Sequence, residues 1–326
     1  MSSYVVVGAG PVGLETARLL GEQGHDVVLT SRSVGTVNPG HVRTAQADAT
    51  DAAALERISR GADAIFMCAM AAYHRWPTDF FPIMDGVTRA AEIVGAKLIV
   101  LGNLYGYGAN AASPLRPAMP LDPTSRKGTV RTIMWQRALR AAVPAIEIRA
   151  SDYLGYGAVT YFSLLALPAL LEAKPVTFLG DLDAKHAWTF TRDVARTLVA
   201  AASYTGEWGR AFHVPSQHAS PRDLIRRAAA MLGKSPPEVG TSTPSQMAAS
   251  GMHEILEMSY LFESPLLVDS SDTEAVLGVK AQDLDVMIAD TLRDHVGANP
   301  SQAQEAMGSS SSGGIRNASN IRGSGL

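Results

Sequence analysis

Tyr4-Val5-Val6-Val7-Gly8-Ala9-Gly10-Pro11-Val12-Gly13 is a short apolar run that breaks into a glycine-rich turn and then into a helix-forming stretch. Four apolar residues in a row suit a strand buried on both faces, as in a parallel sheet. Gly8, Gly10 and Gly13 make a G-x-G-x-x-G, a weak pattern alone but a specific one between a strand and a helix. In that setting the first glycine permits the tight turn, the second lets a ligand approach the backbone, and the third lets helix and strand pack closely. Pro11 suits a first helical turn, whose N-terminus faces anionic groups. Gly8, Gly10, Pro11, Val12 and Gly13 are therefore expected to cradle the pyrophosphate of a dinucleotide.

The pattern continues outward from this turn. Strands are expected at Asp26 to Thr30, Val42 to Ala47, Asp63 to Cys68, Lys97 to Leu101 and Ala145 to Arg149. Helical stretches lie between them, at Pro11 to Gln23, Asp51 to Arg60, Pro77 to Val94 and Thr129 to Ala142. Such alternation argues an α/β fold, a Rossmann-type doubly wound parallel sheet. After residue 150 glycines and prolines cut the chain into shorter pieces, with helices expected at Thr191 to Ser203, from Ser220-Pro221-Arg222-Asp223, at Gln246 to Phe262 and at Gln282 to Val296. The division is a dinucleotide-binding domain over 1–150, a smaller helix-rich C-terminal substrate region over 151–298, and a Ser/Gly/Asn-rich stretch over 299–326 that reads as a disordered tail or a vector-derived remnant.

The residues after the second strand bear on which dinucleotide binds. An NAD site places an acid there for the ribose 2′-hydroxyl. This chain has Thr30-Ser31-Arg32-Ser33 instead. A guanidinium suits phosphate oxygens, so Arg32, flanked by Ser31 and Ser33, favours NADP over NAD. Asp48, after the third strand, reads as an adenine-side contact or as a turn or cap residue. Cys68 and Ala69, at the end of the fourth strand, border the same cleft.

Composition narrows the classes. A net charge of −3 over 326 residues gives no basic excess for a nucleic-acid partner. One cysteine excludes an intramolecular disulfide and a multi-cysteine metal site. No metal is assigned, because His186 has no second ligand at metal spacing. No apolar run reaches membrane-span length and no signal peptide is visible, so a soluble, cytoplasmic protein is expected, with a homodimer allowed. No Gly-x-Ser-x-Gly elbow is present, against an α/β-hydrolase.

Four stretches together resemble the extended or atypical branch of the short-chain dehydrogenase/reductase superfamily, the epimerase/dehydratase-like proteins. They are the Gly8–Gly13 fingerprint, Leu104-Tyr105-Gly106, Arg149-Ala150-Ser151-Asp152-Tyr153-Leu154-Gly155 and Trp188-Thr189-Phe190-Thr191-Arg192-Asp193-Val194-Ala195. The resemblance spans about residues 4 to 235. It implies a Ser or Thr after the fifth strand and a Tyr-x-x-x-Lys in the next helix, the tyrosine transferring the proton and the lysine lowering its pKa and holding the ribose. None of the nine tyrosines has a lysine four residues on. Leu101 stands at the Ser/Thr position, Gly102-Asn103 where dehydratases of the branch carry Asp-Glu, Lys127 at the tyrosine position and Arg131 at the lysine position. Thr124-Ser125-Arg126-Lys127-Gly128-Thr129-Val130-Arg131 is similar to a bacterial subgroup known only as epimerase-like.

A different reaction centre is therefore expected. Lys97 and Lys127 are the two lysines of the first 150 residues, and Lys97 begins its strand at the wrong end of the sheet. Lys127 is left to reach the nicotinamide side, as a catalytic group or as a ribose or phosphate ligand. Tyr105 or Tyr107, leaving the fifth strand with Asn103, is the candidate acid, its pKa lowered by the lysine by roughly 1–3 units. Tyr73, His74 and Trp76, with Tyr153, Tyr156, Phe162, His186 and Trp188, are candidates for the substrate pocket. Two functions follow: an NADP(H)-dependent oxidoreductase or isomerase acting on a small, partly apolar carbonyl compound, or a non-catalytic NADP-sensing regulatory protein.

Overall fold

The computed structural model describes residues 1–33, 42–249 and 256–297; the stretch read as a tail lies outside them. In chain order the strands are β1 (Ser3–Val7), β2 (Asp26–Ser31), β3 (Arg43–Gln46), β4 (Ala64–Met67), β5 (Lys97–Asn103), β6 (Ala145–Ala150), β7 (Asp152–Leu154), β8 (Val176–Phe178), β9 (His186–Phe190), β10 (Arg210–His213), β11 (Ser216–Ala219) and β12 (Val239–Thr241). Seven of them form one sheet in the order β3-β2-β1-β4-β5-β6-β10. Every pairing in it is parallel, with β1 at the centre of the register, Val5 facing Val28 on one side and Ile65 on the other. The chain reverses direction of winding at β1, which opens a crevice at the carboxyl ends of β1 and β4.

The helices are α1 (Pro11–Glu22), α2 (Ala52–Ser59), α3 (Trp76–Val94), α4 (Arg126–Arg140), α5 (Leu167–Leu171), α6 (Thr191–Ala202), α7 (Pro221–Met231), α8 (Pro244–Ala249), α9 (Ser271–Leu277) and α10 (Leu284–Gly297). Both faces of the sheet are covered, so its strands β1, β2, β4 and β5 are mostly apolar rather than alternating. Val6, Phe66, Ile99 and Ile148 pack with Leu20 of α1 and Leu198 of α6. Val5, Ile65 and Leu98, one residue out of phase, pack with Leu55, Phe80 and Met134 of α2, α3 and α4. A separate core holds the later half together, built on Phe162, Phe178, Trp188, Ile288 and Phe262.

The later half is richer in strands than its composition suggests. It adds a three-stranded sheet, β11-β9-β7, and a two-stranded one, β12-β8. It also completes the main sheet, because β10 pairs with β6 and α6 packs on α1. Residue 150 thus divides the sequence but not the layers. α4 starts three residues before the expected Thr129, since the Ser125 hydroxyl accepts the Gly128 N–H at 3.0 Å and caps the helix there. The helix expected over 246–262 does not run to its expected end: among the described residues 257 and 258 form a turn and Ser259–Phe262 is a 3₁₀ turn. The expected start at Ser220 holds, with its hydroxyl accepting the Asp223 N–H at 3.1 Å and Pro221 in the first turn.

Candidate active site at the carboxyl edge of the sheet

The glycine turn has the geometry its spacing requires. Gly8 has φ +110°, and a Cβ there would lie 2.5 Å from the Ala69 nitrogen. Cys68 and Ala69 therefore pass directly beside the turn, and burial pushes the Cys68 thiol up to about 12. A Cβ on Gly13 would run into the Gly8 carbonyl. Gly10 is different: no atom lies within 4 Å of the place its Cβ would take. That open space lies over the N-terminus of α1, which begins at Pro11 without a side-chain cap. Its polarity favours an anion.

A second loop closes over this turn. Gly157, at φ +68°, packs so tightly on the Pro11 ring that a side chain would collide with it. Three consecutive N–H groups of the loop are held by α10: Gly155 donates to Thr291 Oγ1 at 2.7 Å, Tyr156 to Asp290 Oδ2 at 3.0 Å and Gly157 to Asp294 Oδ2 at 2.8 Å. The last described helix thus fixes the lid of the crevice.

At the end of β2, the Ser31 hydroxyl donates to the Ser33 carbonyl at 2.6 Å, and Gln46 Nε2 to the Arg32 carbonyl at 2.9 Å. These bonds hold the backbone while the Arg32 side chain stands exposed. Asp48 Oδ1 accepts both the N–H and the hydroxyl of Thr50, at 2.9 and 2.8 Å. Those bonds, with a smaller contribution from the Arg32 charge, hold its carboxyl below the usual range. Of the roles open to Asp48, the turn role is the one its bonds satisfy.

Lys127 lies in the first turn of α4 and is only 2% exposed. A cation at a helix N-terminus opposes the helix dipole. Glu257 offsets this: its Oε2 accepts the Lys127 ammonium at 2.8 Å and its Oε1 the Lys127 N–H at 2.7 Å. Burial raises the Glu257 carboxyl, but these bonds outweigh it and the net shift is downward. The ammonium also sits 4.5 Å above the Tyr73 ring. Tyr73 meets Trp76 edge-on at 5.0 Å, and Trp76 stacks on Tyr105 at 5.9 Å. The Tyr73 and Tyr105 phenols neighbour each other, close enough for the state of one to bear on the ionisation of the other. One turn along α4, Arg131 donates to the Leu101 carbonyl at 3.2 Å and lies 4.5 Å from the Trp76 and Phe80 rings. Gly128 permits the whole arrangement, since a Cβ there would lie 2.5 Å from the Tyr105 carbonyl oxygen.

One expectation is overturned. Lys127 does not bring Tyr105 or Tyr107 below the ordinary phenol value; burial raises both. The ammonium is engaged by Glu257 and by the Tyr73 ring, and desolvation of the neutral phenols is the larger effect.

The sequence candidates separate into groups. Tyr73, Trp76, Tyr105 and Lys127 come together, with Asn103 Oδ1 accepting the Tyr105 N–H at 3.1 Å. Tyr107 points elsewhere, into a buried network with Arg149, Glu147 and His213. Phe162 and Trp188 are wholly buried in the core of the later half, where Trp188 Nε1 donates to the Ala219 carbonyl at 3.0 Å. His74 and Tyr156 are exposed, and Tyr153 is half-buried. His186 is buried, paired with Asp152 at 2.8 Å and stacked on Phe262. Asp152 faces the phenols of Tyr73, Tyr105, Tyr153, Tyr161 and Tyr260, all raised chiefly by burial and further by its charge. Glu257, Asp152, Tyr260 and the Thr291 group carry no local signal in the sequence. The cationic start of α4 does call for an anion, without saying which.

A family model, the NAD dependent epimerase/dehydratase family, matches residues 4–214. The chain belongs to that family. No curated protein matches the sequence. Among solved structures, the Bordetella bronchiseptica enzyme WbmH in complex with NAD+ is similar at 19% identity and TM-score 0.72, over 91% of this chain and 99% of that one. UDP-glucuronic acid 4-epimerase from Bacillus cereus, in complex with NAD, is similar at 16% identity and TM-score 0.73, over 90% and 99%. UDP-glucose 4-epimerase from Bifidobacterium longum, in complex with NAD+ and UDP, is similar at 17% identity and TM-score 0.73, over 91% and 98%. At these identities the likeness carries the Rossmann-type fold, and the family makes the protein an epimerase-like enzyme.

Proposed function

We propose that the protein is an NADP(H)-dependent oxidoreductase or isomerase acting on a small, partly apolar carbonyl compound. The observation that carries the proposal is the Tyr105 and Tyr73 phenols beside the Lys127 ammonium, at the carboxyl edge of a sheet whose first glycine turn leaves open space at Gly10 over the start of α1. Gly8, Gly10, Pro11, Val12 and Gly13 would hold the pyrophosphate, and Ser31, Arg32 and Ser33 the ribose 2′-phosphate. The relatives named above hold NAD; the absence of an acid after β2 and the exposed Arg32 guanidinium support NADP here. When bound, the dinucleotide supplies or removes a hydride.

The protein's own groups manage the proton. Tyr105 and Tyr73 are neutral at physiological pH, because burial holds both above the ordinary phenol value. A neutral phenol donates to a carbonyl oxygen as negative charge develops on it. Tyr73 lies under the Lys127 ammonium, so it is the member better able to carry the resulting phenolate. Trp76 and Tyr105 offer the aromatic wall for a partly apolar substrate.

The test uses Tyr73→Phe and Tyr105→Phe, with cofactor binding and cofactor oxidation measured separately against a panel of uncharged ketones and aldehydes. At least one variant is expected to lose about 100-fold in turnover while its cofactor affinity holds. A wild-type protein that binds NADPH and oxidises it with none of the panel would favour the sensing role instead.

A further inference from the structure

A cavity of about 610 Å³ lies at the β10 edge of the sheet, outside the crevice just described. Residues 117–119 and 121 of the loop before α4 form one side, Trp135 and Gln136 of α4 another, and Arg149, Trp208 and Arg210 the sheet side, with the exposed Glu207 beside them. It shares no residue with the glycine turn or the Lys127 cluster. Its size falls in the range of small-molecule sites, roughly 300–1,000 Å³.

The sheet side of the cavity is charged where a Rossmann core is ordinarily apolar. Arg149 is 3% exposed and its Nε donates to Glu147 Oε2 at 2.6 Å. Its Nη1 donates to the Tyr107 hydroxyl at 2.6 Å and to the Pro117 carbonyl at 3.3 Å. Among the described residues no acceptor reaches its Nη2. Gly102 leaves the room that Glu147 needs, since a side chain there would strike its carboxylate. A buried ion pair of this kind is a weak source of stability, because desolvation cancels much of the attraction. Arg210, on the same wall, is paired with Asp272 and lies 4.4 Å over the Phe212 ring. Two indoles complete the lining: Trp135, buried, and Trp208, whose Nε1 donates to the Tyr204 carbonyl at 3.3 Å and so is fixed in orientation.

We propose that this cavity binds a small planar aromatic carboxylate. The Arg149 Nη2 pairs with the carboxylate, and the ring packs beside the Trp135 and Trp208 indoles, the latter with the Lys97 ammonium 4.9 Å over its ring. Each guanidinium already pairs with a protein carboxylate and Glu207 adds another to the lining, so the walls hold no excess positive charge for a phosphate dianion, and a carboxylate is held by the directed Nη2 bond. Arg149 also holds Tyr107, at the end of the turn that carries Tyr105, so an occupant touches the reaction centre through one residue.

The experiment is fluorine NMR of para-trifluoromethylbenzoate with the full chain, beside the neutral para-trifluoromethylbenzyl alcohol. Saturable line broadening is expected for the benzoate, with Kd below about 1 mM, and binding of the alcohol at least about tenfold weaker, one charge-assisted hydrogen bond's worth. Arg149→Met leaves Glu147 buried without its partner and risks misfolding, so Gln136→Trp, on an exposed position of α4, serves as the second variant. Filling the cavity with that indole is expected to weaken the benzoate about tenfold or more. Saturating NADPH is expected to leave the broadening unchanged. Equal binding of the alcohol, no saturable broadening, insensitivity to Gln136→Trp, or displacement by NADPH would each overturn the proposal.

Discussion

Replacing Lys127 by methionine keeps most of the side chain's apolar stem and removes its charge. The ammonium is 2% exposed, but its partner Glu257 keeps 23% of its side chain in solvent. Breaking a fully buried pair costs about 3–5 kcal/mol, and an exposed one under about 1 kcal/mol. With one buried and one half-solvated partner, a loss of about 1–3 kcal/mol is expected for Lys127→Met, read by urea unfolding. Glu257→Gln retains an acceptor for the Lys127 N–H and removes only the charge, so the double variant isolates the ion pair. A coupling energy of about 1–2 kcal/mol is expected; a value under about 0.3 kcal/mol would refute the idea that this pair anchors the start of α4. The same variant separates the two functional roles. If Lys127 stabilises a phenolate on Tyr73, turnover falls about 100-fold while the cofactor Kd moves little. Lost cofactor binding with normal turnover at saturation would assign Lys127 to the ribose or phosphate and sink the catalytic role.

Arg32→Ala is expected to weaken NADPH by about 10- to 100-fold, one or two charge-assisted bonds, while NADH changes little; equal effects on both in a titration would remove Arg32 from the 2′-phosphate. Thr291→Val leaves the Gly155 N–H without its acceptor, at a cost of about 1–3 kcal/mol. Cofactor Kd is expected to rise severalfold in that variant, since the loop covers the glycine turn, and an unchanged Kd in calorimetry would show that the loop's position does not matter. His213 is buried and neutral, and burial, with the Arg149 charge, depresses it from an ordinary value of 6.5 to about 3. Between those values the unfolded chain binds a proton that the folded protein does not, so stability falls as pH drops from 6.5 toward 3, by about 1.4 kcal/mol per unit. Unfolding free energies at neutral and mildly acidic pH, for wild type and His213→Gln, check this; parallel slopes would contradict it.

The sheet was legible because its information is local. Val5, Val6 and Val7 need two apolar faces to bury against, and Gly8 and Gly13 sit in a turn that other residues cannot make. Ser31, Arg32 and Ser33 were singled out by their distance to that turn and by the lack of an acid among them. Much of the strand and helix pattern to residue 150 follows from such runs, apart from the start of α4, where the Ser125 cap outranked the apolar pattern. The seventh strand was not legible. Arg210-Ala211-Phe212-His213 has no apolar run, because an edge strand facing a polar network can carry charge.

The reaction centre divides the same way. By itself the sequence determined the strand–glycine turn–helix start of the fold, and it raised the expectation that Lys127 stands at the tyrosine position. Only the tertiary structure decided what Lys127 touches. It joined that lysine to Glu257, 130 residues away, and set Tyr73 and Tyr105 together while turning Tyr107 toward Arg149 and His213. The physical reason is that a buried charge must find its partner wherever the fold brings one, and such long-range pairing leaves no periodicity in the chain.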